Sequence, residues 1–147
     1  MTDAERVPWA EQLALDDASF RQQLAYLLER SPFYREKLAG FDANIGLDEI
    51  AQLPLTEKPE VKATCTPARP FGAHLCSEPS KLVRIYSTSG TTGTPSYIPL
   101  TQSDLDNWVT GSARSYAASG LTRGERVLTT YNAGPFVAGA ALELISD

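Results

Sequence analysis

Histidine is almost missing from this sequence. His74 is the only one among 147 residues, so a metal centre built on several imidazoles is excluded. A Ser-His pair could draw on that one residue alone. Cysteine is nearly as scarce. Cys65 and Cys76 lie in proline-rich surroundings without a CxxC or a metal-like spacing, and they read as two free thiols. A basic excess is also lacking. Thirteen Lys and Arg face eighteen Asp and Glu, a formal net charge of −5, so no global positive field exists to draw nucleic acid or an anionic membrane. An anionic ligand has to be held locally, by backbone amides or a few cations. No apolar run approaches the roughly 20 residues needed to span a bilayer. The opening stretch MTDAERVPWAEQ carries early acids and no apolar core, unlike a signal peptide. The expectation is a cytoplasmic protein with no membrane and no nucleic-acid partner.

What is present is ordinary for a globular domain: 42% hydrophobic and 21% charged residues, enough for one domain with a core. In DDASFRQQLAYLLERS, Phe20, Leu24, Leu27 and Leu28 recur at i, i+4, i+7 and i+8, one apolar helical stripe. Ser31-Pro32 then starts a second helix, with Ser as N-cap and Pro at the first position, where its missing N–H costs nothing. That helix stops at Gly40. A short helix is expected around Leu47–Gln52, and another in TEKPEVKAT with Thr56 as its cap. Residues 65–80, with Pro67, Pro70 and Pro79, read as an irregular connection.

From residue 81 the pattern changes. KLVRIYS is a strand, rich in β-branched and aromatic side chains. SYIPL is a second, which Pro99 either ends or confines to an edge. Thr101 with Asp104 forms a capping box for a helix carrying Leu105, Trp108, Val109, Ser112, Ala113 and Tyr116 on one face and stopped by Gly120. ERVLTTY reads as a third strand and PFVAGAALELIS as a final helix. The fold class is therefore α/β: a helical leader and irregular connection over 1–80, then the start of an α/β domain over 81–147. That domain reads as incomplete, because two or three strands cannot bury two helices. The expectation is an exposed apolar surface.

Between the first two strands lies STSGTTGTP, residues 87–95. Clusters of Ser, Thr, Gly and Pro between periodic segments are most often plain loops. Here strand-like residues flank the run closely on both sides, which makes it a hairpin-type connection. Gly90 and Gly93 can supply φ > 0, so that consecutive N–H groups converge as an anion nest. Ser87, Thr88, Ser89, Thr91, Thr92 and Thr94 add hydroxyls. It is not a Walker loop: two residues separate the glycines, no Lys-Ser/Thr pair follows, and Pro95 leads into a strand. It is not a G-x-S-x-G elbow either, since Ser87 stands two before Ser89.

STSGTTGTP resembles the phosphate-binding signature of the acyl-adenylate-forming, AMP-binding enzymes. SPFYREKLAG, LPLTEKPEVK, KLVRIYSTSGTTGTPSYIPLTQSDLDNW and YNAGPFVAGAALE together resemble the phenylacetate–CoA ligase family, from about Ser31 to the end. The resemblance implies the N-terminal part of an ATP-dependent acid–CoA ligase. Such enzymes use ATP and Mg²⁺ to adenylate an aryl acid and then pass the acyl group to coenzyme A. Residues 81–147 would begin the AMP-binding domain. Thr88, Ser89, Gly90, Thr91, Thr92 and Gly93 would wrap the β- and γ-phosphates, and Lys58 would add a cation, though a solvated helix lysine reads equally well there. Tyr131, Asn132, Gly134 and Phe136 match the word that lines the acid pocket, with core packing as the competing reading of Tyr131 and Phe136. Where the family usually has a lysine shortly after the second glycine, this chain has Thr94 and Ser96, so a point charge is lost and backbone donors remain. No catalytic residue is assigned within these 147 positions. Two other functions stay open: adenylation of another aryl acid for a biosynthetic pathway, and a non-catalytic remnant acting as an interaction domain. A homodimer is one assembly compatible with any of the three.

Overall fold

The computed structural model describes residues 6–88, 95–126 and 128. The chain divides into two compact units, Met1–Cys76 and Ser77–Asp147.

The first unit is helical. Helix α1, Trp9–Arg30, begins earlier than the apolar stripe that announced it. Leu24 on that stripe is buried with Leu38 and Ile45, and Phe20, Leu28, Tyr34 and Leu53 pack around them. Each such side chain contributes about 1.5–3 kcal/mol when fully buried, so three buried residues make a thin core. Polar joints supplement it. Arg21 Nε donates to Asp17 Oδ2 at 2.7 Å, and Leu47 N–H donates to Asp17 Oδ1 at 2.8 Å. The Arg21 guanidinium also donates to the Asn44 carbonyl. These bonds pin the 42–48 turn to α1.

Helix α2, Pro32–Lys37, starts as the sequence predicts: Ser31 is the N-cap, its side chain accepts from Tyr34 N–H at 3.3 Å, and Pro32 occupies the first turn. The same Ser31 also ends α1, its N–H donating to Leu27 O at 2.9 Å. Arg35 donates to the Leu28 and Glu29 carbonyls at 3.1 and 2.7 Å, satisfying acceptors the last turn of α1 leaves open. Gly40 takes φ +97° just past α2.

Leu47–Gln52 is helical as expected, but as a 3₁₀ helix. Helix α3, Lys58–Ala63, corrects the predicted cap: the N-cap is Glu57, not Thr56. The reason is Pro59. With Thr56 as cap, Pro59 would fall at the third helical position and have no N–H for the cap to accept. Shifted by one, that position is Glu60, whose Oε2 accepts from Glu57 N–H at 2.7 Å. Glu60 Oε1 also accepts from Lys37 Nζ at 2.5 Å, tying α3 to α2. The irregular stretch after α3 contains an isolated bridge between Thr66 and Arg69, and a single 3₁₀ turn at Pro79–Lys81.

The second unit is built on a hairpin. Strands β1, Leu82–Ser87, and β2, Tyr97–Thr101, pair antiparallel from Leu82↔Thr101 to Ser87↔Tyr97, with an irregularity between Leu82 and Arg84. Pro99 sits inside β2 opposite Ile85; among the described residues β2 is paired on one side only, a place where the missing donor is tolerated. Helix α4, Gln102–Ala118, opens with the expected capping box: Thr101 N–H donates to Asp104 Oδ2 at 2.9 Å and Asp104 N–H to Thr101 Oγ1 at 3.3 Å. Gly120, at φ +97°, follows its end. Tyr86 is buried and meets Trp108 of α4 edge-on, ring centroids 5.4 Å apart. Ile85 and Tyr97 are each 46% exposed. The predicted third strand falls largely, and the predicted final helix wholly, outside the described residues.

Candidate functional site

The Ser/Thr/Gly run lies in the sequence between the paired strands β1 and β2, the hairpin-type connection its flanking residues predicted. Where the run begins, the ladder is completed by a side chain. Thr88 N–H donates to the Ser96 carbonyl at 3.0 Å, the bond expected of the next antiparallel pair. The return bond differs: Ser96 N–H donates to Thr88 Oγ1 at 3.1 Å. Both residues are half-buried. The Ser96 hydroxyl is buried and has no partner among the described residues. Of the six phosphate-binding candidates in the loop, Thr88 is thus placed at the neck, with one lone pair of its hydroxyl engaged. Ser89, Gly90, Thr91, Thr92 and Gly93 lie outside the described residues, as do Tyr131, Asn132, Gly134 and Phe136.

Lys58 is the first residue of α3 in the other unit, and it is exposed. A cation at a helix N-terminus faces the positive end of the dipole, so the helix gains nothing from its charge. The cap of α3 rests on Glu57 and Glu60.

His74 is partly buried, and its Nδ1 has no partner among the described residues. Burial alone holds its pKa below the usual histidine value. Burial also pushes the Cys76 thiol up, partly offset by a hydrogen bond with Ser31. Both cysteines are free, and among the described residues no group of three or more His, Cys, Asp or Glu side chains could hold a metal ion. No helix among those residues is long and apolar enough to cross a membrane.

No family model matches the chain. Individual proteins do. It is 32% identical over 144 residues to a phenylacetate-coenzyme A ligase of Thermus thermophilus, spanning 95% of this chain and 31% of that protein. A phenylacetate-coenzyme A ligase of Escherichia coli K12 matches at 32% over 130 residues, 86% of this chain and 29% of that protein. Among solved structures, an open conformation of 2-hydroxyisobutyryl-CoA ligase in complex with 2-HIB-AMP and CoA superposes with a TM-score of 0.78 at 26% identity. It covers 97% of this chain and 35% of the ligase. The same ligase in its thioesterification state gives 0.79 at 28% identity. The fold is that of part of an adenylate-forming acyl-CoA ligase, the α/β class expected. By sequence the chain is similar to phenylacetate–CoA ligases, and it spans about a third of the length of the relatives it matches.

Proposed function

We propose that this chain is the triphosphate-gripping part of an AMP-forming acid–CoA ligase, with residues 81–147 beginning its AMP-binding domain. The observation that carries the proposal is the antiparallel hairpin closed at Thr88 and Ser96. It frames STSGTTGTP in a chain related to phenylacetate–CoA ligases over almost its whole length. In this reading the backbone amides of the run from Ser89 to Gly93 would hold the β- and γ-phosphates of ATP. The phosphates are thereby oriented so that a carboxylate oxygen attacks the α-phosphorus in line, with pyrophosphate leaving. Amide donors suit an acidic chain, since they carry no net charge and need no reorganisation. Tyr131, Asn132, Gly134 and Phe136 would face the acid. Coenzyme A then takes the acyl group from AMP. The Mg²⁺ that the resemblance implies would accompany ATP. The setting proposed is the cytoplasm, as one copy or a pair.

An aryl acid is the substrate proposed, in keeping with the names of the phenylacetate-coenzyme A ligases that the chain resembles. The solved neighbours carry 2-HIB-AMP, which favours testing small hydroxy acids beside it. Acid-dependent ATP–pyrophosphate exchange, run on the protein as its gene encodes it with aryl and alkyl acids, tests the proposal. Exchange with at least one acid is expected, and Gly90→Val or Gly93→Val should raise the half-saturating ATP concentration strongly. Exchange with none of the acids would remove the ligase reading.

A further inference from the structure

Residues 72–76 run back across the corner where α1 meets α2. The Ala73 carbonyl receives Ser31 Oγ at 3.2 Å and Phe33 N–H at 3.3 Å, and Ala73 N–H donates to Thr64 Oγ1, at the end of α3, at 2.9 Å. Tyr26 on α1 donates its hydroxyl to the Cys76 carbonyl at 3.4 Å, and the Cys76 thiol turns back to the His74 carbonyl at 3.4 Å. This strap ties α1, α2 and α3 together within the first unit. His74 stands at its centre. Gly72, at φ +77°, passes so close to the ring that a methyl group there would lie 2.7 Å from His74 Nδ1 and 2.6 Å from Thr64 Oγ1. Nδ1 itself is buried and has no partner among the described residues.

That setting suits one protonation state. A neutral ring can carry its proton on Nε2 and leave Nδ1 bare. An imidazolium donates from both nitrogens, so acid puts an N–H and a positive charge where the described residues offer no acceptor. The nearby Thr64 hydroxyl is already engaged, donating to the Val61 carbonyl at 2.8 Å and accepting from Ala73 N–H. The side chains bonded to the strap are Tyr26 from α1, Ser31 from the start of α2 and Thr64 from the end of α3, with Cys76 on the strap itself. Of these Tyr26 and Cys76 titrate, a phenol and a thiol that gain no charge in acid. Burial, not a neighbouring charge, shifts the imidazole. The buried core of Leu24, Leu38 and Ile45 takes no residue from the strap, so the strap can leave without opening that core. We propose that His74 is a proton-operated latch: its protonation releases residues 72–76 from Ser31, Phe33 and Thr64 while the helices beneath stay folded. The latch does not depend on the ligase reading.

The test follows the full chain by NMR from pH 8 to 5. The imidazole signal of His74, identified by its loss in His74→Gln, gives the titration. Amide exchange, corrected for its intrinsic pH dependence, gives the protection of Phe33 and Ala73, whose N–H groups make the strap's bonds. The imidazole midpoint is expected below 6.5. Through that midpoint the protection of both amides should fall about tenfold, the scale of one buried donor left unmatched, while the Leu24 amide inside α1 keeps its protection. In His74→Gln and His74→Asn, two neutral replacements, protection of Phe33 and Ala73 should not vary with pH, whatever its level. Unchanged protection of the two amides through the midpoint would overturn the latch. So would a fall that persists in the variants, or a Leu24 amide that loses protection together with them.

Discussion

Ser31 Oγ donates to the carbonyl of Ala73, 42 residues further along, at 3.2 Å, and Phe33 N–H reaches the same oxygen at 3.3 Å. Ser31 is fully buried. One small residue thus ends α1, caps α2 and anchors the returning chain. Ser31→Ala removes the cap and leaves the partly buried Ala73 carbonyl one donor short. It should cost about 2 kcal/mol, one cap plus one hydrogen bond, read as a lower denaturant midpoint. Loss of less than about 0.5 kcal/mol would mean the buried bonds are exchanged freely for water.

Gly46 is required by a close approach, not by its backbone angle, which any residue adopts. A methyl group there would stand 2.8 Å from Asp17 Oδ1 and from Asp48 Oδ1 and would collide with the Arg21 guanidinium. These are side-chain ends, but Asp17 and Arg21 are tied to each other, to Leu47 N–H and to the Asn44 carbonyl. Gly46→Ala should therefore destabilise by about 1 kcal/mol, the scale of one hydrogen bond lost. The double variant with Arg21→Ala should be clearly less than additive, because the clash partner is gone. Additive losses would place the cost elsewhere.

Acid should weaken the fold in two stages. His74 has its pKa lowered from 6.5 by burial. Its contribution is present above pH 6.5 and is lost as pH falls through the lower folded value, because the unfolded chain takes up the proton first. Asp17 is held below 3.8, chiefly by its bond from Arg21 and then by Leu47 N–H. Glu60 is held below 4.5, chiefly by Glu57 N–H and then by Lys37. Their contributions are lost only at still lower pH. His74→Gln should flatten the first stage and leave the second, in urea midpoints measured from pH 8 to 3. A first stage that persists in the variant would assign it to another group.

Trp108 of α4 meets Tyr86 of the hairpin edge-on, ring centroids 5.4 Å apart. Trp108→Ala should destabilise by about 2–3 kcal/mol, less than a fully buried aromatic because Trp108 is half-exposed. Trp108→Phe should recover more than half. Equal losses in the two variants would show that the ring contact carries none of the stability.

Much of this was legible in local sequence. Ser31-Pro32, the Thr101/Asp104 box, and the two strands around a Gly-rich run each appear where their neighbours demanded, because caps and hairpins are decided within a few residues. The cap of α3 was misread although its signal was local: Pro59 has no N–H to give to Thr56.

What the sequence by itself determined was the kind and approximate place of most helices and strands among the described residues, and the resemblance of the loop to a family signature. Only the tertiary structure decided that Ser31 meets Ala73, that Arg21 reaches Asn44, that Lys37 meets Glu60, and that Thr88 turns its hydroxyl to the Ser96 amide. Each of those bonds joins positions 8 to 42 residues apart. Their partners come within reach only after the chain has folded back, and no period or spacing in the sequence records that return.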